Sequence, residues 1–219
     1  MRLMRVYEVD GGLGPQVSSG NPHLLLHMNH LAHCLLSFGD AETLIGNFIG
    51  DHVKGRRWQL YPPGIQRGIL LHRAIDAFTD QHPMVEQSVR RVRPFAGRWS
   101  PPVVDILYDH LLAGHWAEHA TQPFDLFAQE VYTQLLHGAA HLPPVLQERL
   151  PRMVEGRFLH GYRSREGLDW VLGRFSQRLP AGLDVAALSD FFFQNLGAFE
   201  ADFAAFFPDL WEEARRVWG

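Results

Sequence analysis

Apolar residues recur along most of this chain at the three- and four-residue intervals of an amphipathic α-helix. In residues 100–120, for example, Val104, Leu107 and Leu111 share one helix face, and Ser100 followed by two prolines is typical of a helix start. No segment shows the sustained alternation of a β-strand, and no Asn-Gly hairpin turn occurs. The pattern therefore predicts an all-α fold, a single compact helical bundle.

Prolines, glycines and capping residues divide the apolar pattern into separate helical segments. The predicted segments are 28–39, 40–55, 61–83, 84–95, 100–120, 123–140, 143–156, 164–179 and 184–218. Residues 1–27 differ from the rest, because GGLGPQVSSGNP is typical of turns and linkers. We therefore predict a poorly ordered N-terminal extension over 1–27 and one helical domain over 28–219.

Composition narrows the classes of function. Hydrophobic residues make up 46% of the 219 residues, which is enough for a substantial core. A net charge of -4 gives no general electrostatic reason to bind nucleic acid. No apolar run is long enough to span a bilayer, and a single cysteine excludes a disulfide framework and a cysteine-based zinc site. We expect a cytoplasmic protein without nucleic-acid or membrane partners; the sequence does not indicate the oligomeric state.

Candidate chemistry first appears in GILLHRAIDAFTD, where His72, Asp76 and Asp80 follow one another at four-residue steps. On a helix these side chains form one polar stripe beside an apolar face. A solvated helix face would show the same spacing. A buried carboxylate, in contrast, is costly unless it is paired or binds a cation.

Three further segments repeat the four-residue spacing of polar side chains. The pairs are Asp105 and Asp109, with His110 beside them, Asn47 and Asp51, and Asn29 and His33. Such pairs on several core helices indicate a shared polar centre, because helical bundles build carboxylate and imidazole metal sites in this way. Oxygen and imidazole donors without thiolates suit Mn²⁺, Mg²⁺, Fe²⁺ or Zn²⁺.

Basic residues are concentrated in two short segments, although the net charge is negative. They are Lys54, Arg56 and Arg57 in KGRRW, and Arg90, Arg91 and Arg93 in RRVR. Both groups are compatible with solvated helix ends. They are also compatible with a basic rim beside the metal centre that docks an acidic partner or a phosphate.

Four motifs, MNHLAH, GNFIGDHVKG, GILLHRAIDAFTDQHP and DILYDHLLAGHW, together resemble the acyl carrier protein phosphodiesterase family in order and spacing. The resemblance covers residues 28–116 and continues more weakly in GYRSREGLDWVLGRFSQR and FFPDLWEEA. It supports Met28 as the start of the family domain. The sequence departs from the family pattern at His30, where phenylalanine is common.

The resemblance implies a fold related to the metal-dependent HD phosphohydrolases, although divergent from them, and a role in fatty acid biosynthesis and lipid metabolism. The implied reaction is hydrolysis of the phosphodiester that links 4'-phosphopantetheine to a serine of holo acyl carrier protein. Its products are apo carrier protein and free 4'-phosphopantetheine, and Mn²⁺ is the implied cofactor. Matched positions give the metal-ligand candidates Asp51, His72, Asp76 and Asp109, followed by His33, Asp80, Asp105 and His110.

Two side chains are candidates for catalysis. Arg73 could neutralise charge on the phosphoryl oxygens, and His110 could protonate the departing serine oxygen. Two other functions fit the same sequence. One is a metal-dependent phosphohydrolase acting on a nucleotide or another small phosphoester. The other is a non-catalytic helical binding module whose polar stripes are buried networks, which the metal content of the purified protein would distinguish from an enzyme.

Overall fold

The computed structural model describes residues 30–219, so the predicted extension over 1–27 lies outside the described residues. Within that part of the chain every regular element is helical, which confirms the all-α prediction. The α-helices are α1 His30–Leu35, α2 Ala41–Ile49, α3 Pro63–Gln81, α4 Pro83–Ala96, α5 Ser100–Gly114, α6 Trp116–His119, α7 Phe124–His137, α8 Pro144–Glu155, α9 Arg165–Ser176, α10 Val185–Gln194 and α11 Leu196–Trp218. Short 3₁₀ helices span Gly50–His52, Arg57–Leu60, Gly97–Trp99, Ala139–His141 and Phe158–Arg163. Of the helices in 30–219, none combines the length and apolar character needed to cross a membrane.

Three of the predicted helical segments contain a break in α-helical geometry. The segment 40–55 leaves α-helical geometry after Ile49, 100–120 is interrupted at His115, and 184–218 is interrupted at Asn195. At Asn195 the side-chain amide donates to the carbonyl oxygen of Phe191 (2.8 Å), which also accepts the backbone N–H of Asn195 (3.1 Å). Local hydrophobic periodicity continues through these points and does not show the breaks.

The C-terminal half of α2 crosses α3 with the two backbones in direct contact. A Cβ atom on Gly46 would lie 2.1 Å from the carbonyl oxygen of Ile65, and one on Gly68 would lie 2.2 Å from that of Thr43. Only glycine permits this approach at both positions. The crossing sets the end of α2 against the middle of α3.

Helix α1 is held in place by a carboxylate from α5. Asp109 is buried, with 1% of its surface exposed, and accepts hydrogen bonds from the backbone N–H groups of Leu31 (2.8 Å) and Ala32 (2.9 Å). These are first-turn donors that have no partner inside their own helix. Asp109 thereby fixes a helix of only six residues, too short to be stable alone, against the core.

A second buried carboxylate joins α4 to α11. Asp202 accepts hydrogen bonds from Gln87 Nε2 and Ser88 Oγ, each at 2.8 Å, and forms an ion pair with Arg91. The hydroxyl of Tyr108 donates to Ser88 Oγ at 3.0 Å and extends the network to α5. The network fixes the long C-terminal helix against the bundle.

Candidate metal centre

Side chains from three elements converge where α2 and α3 cross. His33 comes from α1, Asp51 from the 3₁₀ helix Gly50–His52, and His72 and Asp76 from α3. His33, His72 and Asp76 each place one ligand atom so that these atoms lie within 4.8 Å of one another and could hold a metal ion. The four-residue spacing on α3 thus places His72 and Asp76 in one polar group with His33.

The distances between these side chains are short. His72 Nε2 lies 3.1 Å from Asp51 Oδ1 and 3.1 Å from Asp76 Oδ2. His33 Nε2 lies 3.3 Å from the other oxygen of Asp76, and the two imidazole rings stack with centroids 4.3 Å apart. Ligands of one metal ion at about 2.1 Å lie roughly 3–4 Å from each other, so these separations fit donors around a common cation.

Asn47 determines which nitrogen of His33 faces the centre. Its amide nitrogen donates to the carbonyl oxygen of His33 (2.7 Å) and to Ser37 Oγ (3.2 Å), so its amide oxygen faces His33 Nδ1 at 2.7 Å. That oxygen can only accept, which places the ring proton of neutral His33 on Nδ1. Nε2 then directs a lone pair towards Asp76, an arrangement that a cation between the two atoms would stabilise.

The charges around His72 favour a positive group. Burial lowers the pKa of His72, but its hydrogen bonds to Asp51 and Asp76 outweigh burial and raise that pKa to about 10. Burial also works against ionised Asp76, yet its close contacts with the imidazoles of His33 and His72 hold its pKa well below the usual range. Two carboxylates and two imidazoles thus form a buried position that attracts a proton or a metal cation.

The remaining predicted metal ligands lie around this group rather than in it. Asp80 is one helical turn beyond Asp76 on α3. The pKa of Asp105, on α5, is raised well above its usual value, first by burial and then by the charges of Asp76, Asp80 and Asp109. Asp105 is therefore electrostatically coupled to the centre.

Asp109 lies behind α1, where both of its oxygens accept backbone hydrogen bonds. Burial raises its pKa to about 7, against the lowering effect of those bonds. The structure therefore gives Asp109 a contact that holds the helix carrying His33. A ligand role for Asp109, Asp80 or Asp105 stays a prediction.

The two predicted catalytic residues make contacts that position backbone. Arg73 Nη2 donates to the carbonyl oxygens of Val53 (2.7 Å) and Gly55 (2.9 Å), which fixes the turn after Asp51. His110 Nδ1 lies 2.7 Å from the carbonyl oxygen of Tyr162, and its ring packs edge-on against phenylalanines of α10. Burial lowers the pKa of His110, which favours the neutral ring. Their catalytic roles stay predictions.

The two basic segments differ in their surroundings. Lys54, Arg56 and Arg57 are all exposed and follow directly after the turn that carries Asp51. In the second segment Arg90 pairs with Glu86 on the surface and Arg93 is exposed, whereas Arg91 forms the partly buried ion pair with Asp202. The contacts of Arg91 thus lie within the fold, and a docking role for the six residues stays a prediction.

Sequence reasoning missed the glycine that makes room for His72. A Cβ atom on Gly50 would lie 2.2 Å from Cγ and 2.3 Å from Cδ2 of that imidazole. One signal was present in the sequence, because Gly46 and Gly50 repeat the four-residue spacing of Gly64 and Gly68. Small residues at this interval let helices approach closely, but the spacing does not identify the partner.

An all-α bundle with two buried histidines and partly buried aspartates that could hold a cation defines the general class of this protein. A family model described as "Acyl carrier protein phosphodiesterase" matches residues 28–210, and the chain belongs to that family. The predicted family is confirmed, and with it the prediction that the protein is a hydrolase. No solved structure is significantly similar to this chain.

Individual relatives agree with the family match over nearly their whole length. The chain is 32% identical over 193 residues to the acyl carrier protein phosphodiesterase of Enterobacter sp., covering 86% of this chain and 98% of that protein. The Yersinia pestis protein of the same name is 32% identical over 194 residues, with the same coverage. An Escherichia coli protein of that name is 31% identical over 196 residues and is likewise 98% covered.

Proposed function

We propose that this protein is a metal-dependent phosphodiesterase that hydrolyses the bond between 4'-phosphopantetheine and serine in holo acyl carrier protein. The products would be apo carrier protein and free 4'-phosphopantetheine, which places the reaction in fatty acid biosynthesis and lipid metabolism. The observation that carries the proposal is that His33, His72 and Asp76 place ligand atoms close enough together to hold one cation, with Asp51 3.1 Å from His72. The names of the relatives supply the substrate class.

In this proposal those four side chains hold the metal, and Mn²⁺ is the ion we propose. Their nitrogen and oxygen donors, without thiolates, also suit Mg²⁺, Fe²⁺ or Zn²⁺. A divalent cation supplies an activated water molecule near neutral pH and neutralises charge on the phosphoryl oxygens. We also propose that the fold is a divergent relative of the HD phosphohydrolases, which is supported by a histidine and an aspartate on one helix completed by ligands from two other elements.

The protein's own groups would orient the centre. Asp51 and Asp76 both contact Nε2 of His72, and Asn47 fixes the tautomer of His33. Arg73 donates to the carbonyl oxygens of Val53 and Gly55 and so holds the turn that follows Asp51. Each contact restricts a ligand before the substrate binds, so the site is preorganised for developing charge.

The direct test is incubation of holo acyl carrier protein with the full-length protein and Mn²⁺, followed by intact mass spectrometry of the carrier protein. We expect loss of the phosphopantetheine mass, and we expect a chelator to stop that loss and added Mn²⁺ to restore it. An unchanged carrier mass together with turnover of small phosphoesters would favour a small-molecule phosphohydrolase. Absence of both activities and of bound metal would favour a binding module.

Replacing Asn47 with leucine should reduce metal affinity by roughly 10- to 100-fold, the usual effect of losing a group that orients a metal ligand. Leucine has a similar volume but cannot accept a hydrogen bond from the Nδ1–H group of His33. Mn²⁺ titration calorimetry measures the change, and circular dichroism checks the helical content. Ser37→Ala is the matched control, since it removes a contact of Asn47 but leaves the amide on His33; equal affinity in Asn47→Leu and wild type would contradict the role.

Reversing Arg56 and Arg57 to glutamate should lower kcat/KM on holo carrier protein and weaken its dependence on salt. Both residues are exposed next to the centre, and carrier proteins of this type are acidic, so attraction would act mainly on association. Turnover of a small phosphodiester should change little. The same reversal of Arg149 and Arg152 on α8 is the control, and an equal loss on both substrates would assign Arg56 and Arg57 to the phosphate site or to the fold.

We propose that residues 28–219 form the phosphodiesterase domain and that 1–27 are an extension outside it. The family match begins at residue 28, which supports this division. A protein that starts at Met28 should keep the thermal midpoint and the activity of the full chain. Thermal melts and the carrier-protein assay measure both, and a clear loss of both would contradict the division.

A further inference from the structure

A cavity of about 310 Å³ opens beside α1, and none of the candidate metal ligands lines it. Its walls come from α1 and the turn after it, from α2, from residues 119–122, from α7 and from α11. Most of the lining is apolar and includes Leu35, Leu44, Phe127, Val131 and Trp211, with Cys34 at the α1 wall. The volume lies at the lower end of the range for small-molecule sites, about 300–1,000 Å³.

The wall next to α1 has an unusual backbone. Phe38 has a φ of 53°, in the left-handed region, and Gly39 follows with a φ of 76°. A bulky residue rarely adopts this geometry without support from its surroundings. The support is aromatic: the Phe38 ring packs at 5.4 Å from Trp211 and 5.1 Å from Trp218. The lip of the cavity is therefore held in a defined shape.

Two charged side chains at the rim of the cavity, Glu130 and Arg215, differ in their polar contacts. Glu130 has both oxygens near amide donors, one from Gln122 and one from Gln134, each at 3.3 Å. The Arg215 guanidinium lies over the rings of Phe38 (5.9 Å) and Trp211 (5.8 Å). Within residues 30–219 it forms no ion pair, whereas the adjacent Arg216 is paired with Glu213. The positive charge of Arg215 is thus available at the mouth of an apolar space.

We infer that this cavity binds an amphiphilic monoanion, an alkyl carboxylate whose chain occupies the apolar space and whose carboxylate pairs with Arg215. The apolar walls match the chain, and the guanidinium matches the planar carboxylate. The site is distinct from the candidate metal centre and does not depend on the proposed phosphodiesterase reaction.

Calorimetric titration of the full-length protein with decanoate, below its micelle concentration, tests the inference. We expect saturable binding at one site per chain and weaker binding of decanol, which has the same chain without the charge. Arg215→Gln should lower decanoate affinity at least tenfold and bring the two probes to similar affinities. Arg216→Gln is the matched control and should leave decanoate affinity unchanged.

A second variant fills the cavity. Val131 is buried in its wall, and Val131→Phe should reduce binding of both probes, with thermal melts used to check that the variant is folded. No saturable binding of decanoate to wild type would overturn the inference. Equal decanoate affinity in the Arg215→Gln and Arg216→Gln proteins would also overturn it. That comparison does not depend on whether Val131→Phe folds, because Arg215 and Arg216 are both exposed.

Discussion

Asp76→Asn should abolish hydrolysis of holo carrier protein while the helical content of the protein is retained. Asp76 contacts both imidazoles of the candidate centre, with one oxygen near His33 and the other near His72. The amide has nearly the same shape but removes one negative charge and turns one of the two acceptor atoms into a donor. We expect kcat to fall roughly 10³-fold or more, because even groups that only orient metal ligands contribute 10- to 100-fold.

Metal content and rate should fall together in the Asp76→Asn protein, as measured by elemental analysis of the dialysed protein and by the carrier-protein assay. Asp209→Asn is the matched control, since Asp209 contacts His82 at 3.3 Å in a similar His–Asp pair on the protein surface. It should behave as wild type. An Asp76→Asn protein with full activity would remove the proposed metal centre.

Gly50→Ala should impair the centre without altering any of its ligands. The φ of Gly50 is -48°, so alanine introduces no backbone strain, and the effect would come only from the added Cβ atom 2.2 Å from the His72 ring. His72 is buried and cannot shift without losing its contacts with Asp51 and Asp76. We expect metal affinity and kcat to fall by at least about 10- to 100-fold, together with a lower thermal midpoint.

The same pair of measurements on Gly173→Ala provides the control. Gly173 lies inside α9, and an added Cβ atom there would meet nothing within 4 Å. Alanine in a helix interior at such a position should leave activity unchanged and stabilise the fold by up to about 1 kcal/mol. If both variants had wild-type activity and metal affinity, the close contact between Gly50 and His72 would not be needed for function.

The parts of the site that local sequence pattern could predict are those that lie on one helix. His72 and Asp76 are four residues apart on α3, and helix geometry alone places them on one face. That His33 and Asp51 join them depends on the glycine contact of α2 with α3 and on the cap that holds α1. Both are tertiary contacts, so the sequence could indicate a shared centre but not its exact members.

Asp109 and Arg91 show why charged residues were harder to assign. A carboxylate in an apolar helix needs a cation, a proton or hydrogen-bond donors, and the sequence does not distinguish among them. For Asp109 the donors are backbone amides 77 and 78 residues away, and for Arg91 the partner is a carboxylate 111 residues away. Hydrophobic periodicity describes only residues that are neighbours along one helix, so it cannot identify partners that are distant in the sequence.

The single cysteine of the chain makes the anchoring of α1 measurable by chemistry. Cys34 is next to His33, is 3% exposed, and has a thiol whose pKa burial raises well above its usual value. The thiolate is the form that reacts with alkylating reagents. The native thiol therefore reacts slowly, because it is nearly inaccessible and because it stays protonated. The rate at which a reagent such as iodoacetamide modifies the protein therefore reports local opening around Cys34, either by release of α1 from the bundle or by entry through the cavity that the thiol lines. This modification rate measures the local stability around the helix that carries a candidate metal ligand, and the measurement requires no engineered label.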